Sequence, residues 1–379
     1  MYIDLRAAAA EPPASHRAAV GRRVAIVHYW LVNMRGGERV LEHLLRLFPQ
    51  ADLFTHVYIP ERVSELIRSR RVRTSFIARL PRARTHYQQY LPLMPLAIEQ
   101  LDLRGYDLVI SSESGPAKGG IIDPDAFHLC YCHSPMRYLW DHYHDYRATA
   151  GRVAAWAMPL LCHRLRQWDV SSAARVDRIV ANSSFIQKRI AKAWGRSADV
   201  VHPPVDTTLF QPAAEISARY LWVGQMTRYK RPDLVVEAFN RLGLPLLMVG
   251  DGDMADAVQR QALANVTVKR HLGFDALRAA YASCRALVFS AQEDFGIVPV
   301  EAMASGRPVI AFGSGGVLDS VVPDRTGLFF EEQSADALIA AVERAERWLP
   351  HFNPADAVEQ ASLFSPEHFR SGILSALPA

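Results

Sequence analysis

Short apolar runs, most of them closing on a glycine or a polar turn, alternate along the chain with stretches of helical periodicity. RVAIVHYW (23–30) reads as a strand, and in ERVLEHLLRLF (38–48) apolar residues recur at three- and four-residue spacing, which predicts an amphipathic helix. DLFTHVYI (52–59), DLVISSES (107–114), FHLCYCHS (127–134) and RIVANSS (178–184) continue the strand series, with helices between them. Alternation of this kind is the mark of βα units on a parallel sheet.

The series then breaks and restarts. VHPPVDTTLFQPAAEISARY (201–220) is rich in proline and polar residues and reads as a linker. Beyond it YLWVGQ, PLLMVGDG, VTVKRHLG, ALVFSAQE, PVIAFGSGG and TGLFFEE form a second set of strands ending in glycine or polar turns. The expected architecture is α/β: two facing Rossmann-like domains with parallel sheets and a cleft between them. The expected partition is a loose tail over 1–22, domains over 23–202 and 203–364, and a final helix over 365–379. A chain of 379 residues is too long for one ordinary core and suits two.

Composition narrows the class. Half the residues are apolar and 22% are charged, which is ordinary for a globular protein. The most apolar block, AAWAMPLLC (154–162), is shorter than the roughly 20 residues a membrane span needs, and Arg and His flank it. The first residues lack the apolar block of a secretory signal. The four cysteines, Cys130, Cys132, Cys162 and Cys284, are not spaced as a disulfide framework and fit a reducing, cytoplasmic setting. HLCYCHSP holds Cys130, Cys132 and His133, but C-x-C-H lacks the usual gap between thiolates, so no metal is expected; His128, Cys130 and Cys132 sharing one strand face is the simpler reading. The net charge of +4 is unevenly spread, with eight arginines and only Glu65 as an acid between Arg62 and Arg84. That stretch suits an anionic membrane face or, equally, a solvated helix face; no nucleic-acid module accompanies it.

Four constellations fall at predicted strand ends, where open parallel sheets bind ligands. Gly36 and Gly37 precede a helix expected to begin near Glu38, where unpaired backbone N–H groups favour an anion. GDGDMA (250–255) formally matches a dinucleotide fingerprint, but Asp251 and Asp253 would repel a pyrophosphate, so a packing turn is expected. In WVGQMTRYKRPDLVVEAF (222–239), Arg228, Lys230 and Arg231 crowd the loop before a helix opened by Pro232, an arrangement suited to a diphosphate. Finally, in SAQEDFGIVPVEAMASG (290–306) Glu293 lies in a loop, and Glu301 is expected in the first turn of a helix opened by Pro299; GSGG (313–316) follows. Together these can hold a diphosphate while two carboxylates accept hydrogen bonds from ribose and sugar hydroxyls.

The stretch EDFGIVPVEAMASGRPVIA resembles the E-x7-E signature of retaining glycosyltransferases of family 4, which have the GT-B fold. The likeness extends through Gly36-Gly37, VGQMTRYKRPDLVVEAF, the GDG turn and SGG. YCHSPMRYLWD (131–141) and HYWLVNMRGGERVLE are similar to bacterial mannosyltransferases that build O-antigen or exopolysaccharide units on a polyprenyl diphosphate lipid. The resemblance implies GDP-mannose as first-choice donor, a lipid-linked oligosaccharide acceptor, work at the inner membrane face, and no metal or other cofactor; a UDP-sugar donor, a sugar-nucleotide epimerase and a non-catalytic sugar-nucleotide-binding scaffold are the alternatives. It implies that Lys230 contacts the donor diphosphate, Glu293 the transferred sugar, Glu301 the ribose, and His133 the sugar from the other domain. Gly36 and Gly37 then match the loop closing near the phosphates, while Phe295, Gly296, Ile297 and Val298 line the donor site. The final helix is expected to cross back to the first domain. Gln225 departs from the family pattern, where an arginine is common, so Arg228 or Arg231 is expected to supply that charge.

Overall fold

The computed structural model describes residues 21–378. Within them the chain forms two compact units, one of residues 21–180, 191–199 and 370–378, the other of Ala181–Ile190 and Val200–Phe369. Residues 181–190 thus pack with the second unit although they precede the predicted linker. The predicted tail over 1–22 lies almost wholly outside the described residues.

The first unit is built on a seven-stranded sheet of β1 (Val24–His28), β2 (Asp52–Thr55), β3 (Val72–Thr74), β4 (Leu108–Glu113), β5 (Phe127–Cys132), β6 (Arg178–Ala181) and β7 (Asp199–Val200), in the order β3-β2-β1-β4-β5-β6-β7. β1 pairs in parallel with both β2 and β4, and β4 with β5. Every residue of β1 and β4 is buried, as expected of central strands covered on both faces. The helix Gly36–Leu47 buries Glu38, Val40, Leu41, Leu44 and Leu45, a stripe at helical spacing, and begins two residues before the expected start. β3 lies inside the arginine-rich stretch and carries no apolar pattern that would announce it. AAWAMPLLC belongs to a 23-residue helix, Arg152–Ala174, whose inner side packs Met158, Cys162 and Leu165 against Met136 and Leu139.

The second unit holds β8 (Tyr220–Val223), β9 (Leu246–Val249), β10 (Val266–Lys269), β11 (Leu287–Phe289), β12 (Val309–Phe312) and β13 (Gly327–Phe330), all parallel, in the order β10-β9-β8-β11-β12-β13. Period-two alternation divides its core. Trp222, Met248, Val288 and Ile310 pack with Phe239 and Leu338 from helices on one face, and Leu221, Leu247, Leu287 and Val309 with Tyr281 and Val300 on the other. Each such fully buried side chain contributes about 1.5–3 kcal/mol of transfer free energy.

In both sheets the strand order doubles back beside the unit's first strand. Such a switch point parts the loops leaving the carboxyl ends of neighbouring strands and opens a crevice there. The places to search for chemistry are therefore the loops after β1 and β4, and those after β8 and β11.

Candidate active site

The loop after β8 carries Lys230 and the loop after β11 carries Glu293, and the two side chains meet. Lys230 Nζ lies 2.6 Å from Glu293 Oε1, with the side chains 14% and 19% exposed. One buried serine fixes the pair: Ser290 Oγ donates to Lys230 O (2.6 Å) and accepts from Trp222 Nε1 (3.2 Å), while Ser290 O accepts from Gln333 Nε2 (2.9 Å). Ion pairs this sheltered are less screened than surface pairs and keep their geometry.

Of the neighbouring cations, Arg231 is committed elsewhere. Its backbone is left-handed (φ 52°), and its guanidinium grips the Asp233 carboxylate (2.9 and 3.1 Å) and donates to Gln333 O (3.2 Å). Arg231 therefore anchors the start of helix Pro232–Leu242, and of the two residues expected to replace the charge missing at Gln225, Arg228 is the exposed one. Gln225 is itself exposed, and its carbonyl accepts from Thr227 N. The GDG turn braces this loop. Met226 N donates to Asp251 O (2.9 Å), and a Cβ at Gly250, where φ is +151°, would fall 1.8 Å from Gly224 O.

Glu301 sits in helix Ile297–Ala304, which begins at Ile297 rather than Pro299, so Glu301 falls in the second turn and not the first. Its Oε2 accepts from the hydroxyl of fully buried Tyr281 (2.8 Å). Phe295 is buried and Gly296 has a left-handed backbone (φ +91°), so the turn delivers Ile297 and Val298, both partly buried, as the first residues of that helix. The glycine turn at 313–316 runs beside Glu293: Gly316 N donates to Glu293 O (2.8 Å), and a Cβ on Gly316 would lie 2.3 Å from Asp294 O.

Gly36, Gly37 and His133 belong to the first unit. The two glycines form the first turn of helix Gly36–Leu47. His133 follows β5, donates its backbone N–H to Glu113 O (2.8 Å) and places Nε2 2.8 Å from Ser112 Oγ. Burial, with His28 nearby, pushes its pKa down to about 3, so near neutral pH it is an uncharged hydrogen-bonding ring. Behind it lies a buried ionic cluster: Lys118 Nζ bonds Asp169 Oδ1 and lies 3.5 Å from Glu113 Oε1, while Asp169 Oδ2 accepts from Trp140 Nε1 (2.8 Å) and Trp194 Nε1 (2.7 Å).

Cys130 and Cys132 are buried thiols, with burial pushing Cys130 up to about 12, and His128 Nε2 is engaged by Ser111 Oγ (2.9 Å). No group of three or more His, Cys, Asp or Glu side chains suited to a metal occurs among the described residues.

Two family models match in succession, one described as Glycosyltransferase Family 4 over residues 34–209 and one as Glycosyl transferases group 1 over 217–346. The chain belongs to the family 4 glycosyltransferases. Similar curated proteins include a D-inositol 3-phosphate glycosyltransferase of Rhodococcus opacus, 30% identical over 239 residues, 54% of this chain and 53% of that one. A GDP-mannose-dependent alpha-mannosyltransferase of Mycolicibacterium smegmatis is 32% identical over 215 residues, 51% of this chain and 55% of that one. The chain spans about half the length of the curated relatives it matches. Among solved structures, Anabaena HepE in complex with UDP and glucose aligns with a TM-score of 0.68 at 16% identity, covering 94% of this chain and 100% of that one. Sucrose-phosphate synthase from Thermosynechococcus elongatus aligns at 0.65 and 20% identity, covering 93% and 97%. These likenesses show that this family 4 chain has the two-domain GT-B fold.

Sequence reading missed the supports of these candidate residues. Ser290, Tyr281, Ser112 and His28 lie in or next to apolar strands and helices where nothing in the pattern marks them as polar partners. Strand register was the one available signal, since parallel pairing of β1 with β4 sets His28 directly beside Ser112.

Proposed function

We propose that the chain transfers a hexose from a nucleotide sugar to a hydroxyl acceptor with retention of anomeric configuration. Mannose from GDP-mannose is the first-choice donor, and a polyprenyl-diphosphate-linked oligosaccharide of bacterial surface or exopolysaccharide synthesis is the acceptor. The observation that carries this reading is the sheltered Lys230–Glu293 pair at the switch point of the second sheet. Breaking a sugar–phosphate bond loads negative charge onto the departing diphosphate. In this reading Lys230 and the free N–H groups opening helix Ile297–Ala304 meet that charge, and one well-placed donor of this kind is worth about 3 kcal/mol in the transition state. Glu293 and Glu301 then accept hydrogen bonds from sugar and ribose hydroxyls. The scheme draws on no metal.

The mannosyl choice is supported by the similarity to the Mycolicibacterium smegmatis enzyme; the UDP complexes of HepE favour a UDP-sugar donor as the second reading. A scaffold without turnover is the third. Thermal protection by a panel of nucleotide sugars separates them, because only a ligand that prefers the native state raises Tm. GDP-mannose should raise it most, and the product made with a lipid-linked acceptor should keep the donor's anomeric configuration. A larger shift with a UDP-sugar selects the second reading, and protection without any product selects the third.

Association with an anionic membrane face is part of the proposal. In the arginine-rich stretch Arg84 pairs with Glu61 (2.8 Å) and Arg70 is tied to a backbone carbonyl, while Arg62, Arg68, Arg71, Arg79 and Arg82 are exposed. The outer side of helix Arg152–Ala174 presents Val153, Trp156 and Leu160, 81%, 83% and 62% exposed, on one stripe. Between 151 and 168 the sequence holds Arg152, Arg164 and Arg166 and no acid. An apolar stripe with basic flanks is suited to lie in the interface of an anionic bilayer. No helix among the described residues is long and apolar enough to cross a membrane.

A further inference from the structure

Within the first unit an unbroken run of buried polar groups leads from the start of helix Gly36–Leu47 to His133. Glu38 Oε2 accepts from Arg35 N (2.9 Å), and its other oxygen, Oε1, lies 3.7 Å from His28 Nε2. His28 Nδ1 lies 3.0 Å from Ser112 Oγ, which in turn lies 2.8 Å from His133 Nε2. Glu38, His28 and Ser112 are each at most 1% exposed, and His133 is partly exposed. His28 Nε2 has no hydrogen-bond partner, so the Glu38 carboxylate is the charge nearest to it that the geometry supplies.

A serine hydroxyl between two neutral imidazoles has one proton to give, and this leaves two self-consistent arrangements; a His28 protonated on both nitrogens would impose the second one's tautomer on His133. In the first, His28 carries its proton on Nε2, facing Glu38; Ser112 donates to His28 Nδ1; and His133 donates from Nε2 to Ser112, leaving His133 Nδ1 bare. In the second every bond is reversed: His28 points a lone pair at the carboxylate, Ser112 donates to His133, and His133 Nδ1 carries the proton. A carboxylate 3.7 Å away in a dry setting attracts an N–H and repels a lone pair, so it selects the first arrangement.

We infer that Glu38, acting through His28 and Ser112, holds the neutral His133 ring with its proton on Nε2, so that Nδ1 is presented to a ligand as a hydrogen-bond acceptor. His133 is then specific for a hydroxyl that donates, and it disfavours phosphate or carboxylate oxygens. The low pKa of His133 agrees with a ring that stays neutral. Glu38, His28 and Ser112 are positioning residues in this scheme. That the hydroxyl belongs to the donor sugar rests on the function proposed above; the position of the proton does not.

Long-range nitrogen–proton NMR on histidine-labelled protein without ligand reads the tautomer directly. Wild type should show His133 with a bare Nδ1 and a protonated Nε2. Ser112→Ala and Glu38→Gln should each convert His133 to a mixture of tautomers, and Ser112→Thr, which keeps the hydroxyl, should restore the wild-type pattern. Circular dichroism confirms that each variant is folded, and the wild-type spectrum alone suffices should a variant fail. A wild-type His133 protonated on Nδ1, or a Ser112→Ala spectrum with His133 unchanged, overturns the inference. With an active donor in hand, Ser112→Ala should lower kcat/KM about three- to tenfold. Among deoxyfluoro sugar donors, one position should then lose turnover in wild type and lose nothing further in His133→Ala.

Discussion

Replacing Lys230 by alanine tests the centre of the proposed site. The substitution removes the ammonium group 2.6 Å from Glu293 Oε1 and leaves a carboxylate that is 19% exposed without that cation. Pairs at the surface are worth about 0–1 kcal/mol, and stranding one partner of a fully buried pair costs about 3–5 kcal/mol. This pair lies between those limits, so Lys230→Ala should destabilise by about 1–2 kcal/mol. In a unit of this size that lowers Tm by about 2–8 °C, and an assay at 25 °C still reads folded enzyme. The effect on rate should be far larger, because the charge on the departing diphosphate develops after the donor is bound. Loss of one preorganised donor predicts a fall in kcat of about 10²–10³ with a smaller change in donor affinity. Lys230→Arg restores a charge but not the fit, since the lysine stem lies along Gly224, with Cδ 3.3 Å from where a Cβ would stand. It should recover part of the rate. Steady-state kinetics with the nucleotide sugar that gives the largest thermal protection decides the matter, and a Lys230→Ala kcat within about threefold of wild type would refute the assignment.

Three further outcomes follow from buried groups and the exposed stripe. Asp169→Ala leaves the Lys118 ammonium and two indole N–H groups without their acceptor and should cost about 3–5 kcal/mol in a denaturant titration; Asp169→Asn, which keeps one acceptor oxygen, should cost less. Burial lowers the pKa of His56 to about 4 and of His128 to about 3. Below pH 6.5 the unfolded chain therefore takes up protons that the native chain refuses, so this stability is full above pH 6.5 and is lost as the pH falls towards 4. Each histidine contributes a slope of about 1.4 kcal/mol per pH unit, as does His133, so His128→Gln should lower the measured slope between pH 6 and 5 by about that one share; an unaltered slope would count against the burial argument. Wild-type protein should sediment with phosphatidylglycerol vesicles and less with phosphatidylcholine ones, its Trp fluorescence shifting to the blue, and a Trp156→Ala, Leu160→Gln variant should lose both effects. Equal sedimentation of the variant would remove helix Arg152–Ala174 from the proposed membrane face.

Much of this was legible beforehand because the continuous apolar run of a fully covered parallel strand, recurring between helical stretches, is a strong signal. VAIVH and LVISSE are apolar or small up to their last residues, His28 and Glu113, because both their faces are buried, and the glycines after strand ends mark where the backbone must pass tightly. β3 was invisible because three residues within a run of arginines carry no period to read. The first turns of two helices were misplaced for a local reason: glycine at 36 and 37 and proline at 299 act as boundary marks in sequence, yet both residue types are tolerated inside a first turn, where donors are unpaired anyway. The residues lining the proposed pocket could be named from motif likeness. Their supports, such as Ser290 beneath Lys230 and Tyr281 against Glu301, come from segments ten or more positions away, and only the folded chain brings them together.

The division of the chain also governs how it can be taken apart. The polypeptide passes from one unit to the other after Val180, Ile190, Asp199 and Phe369. No single cut yields two self-sufficient fragments: a piece ending at 202 keeps ten residues whose packing partners it lacks and forfeits the closing stretch from 370 onward. Separately expressed halves should therefore be poorly soluble alone and regain order on co-expression, whereas a graft of residues 203–369 onto a related scaffold must bring residues 181–190 with it.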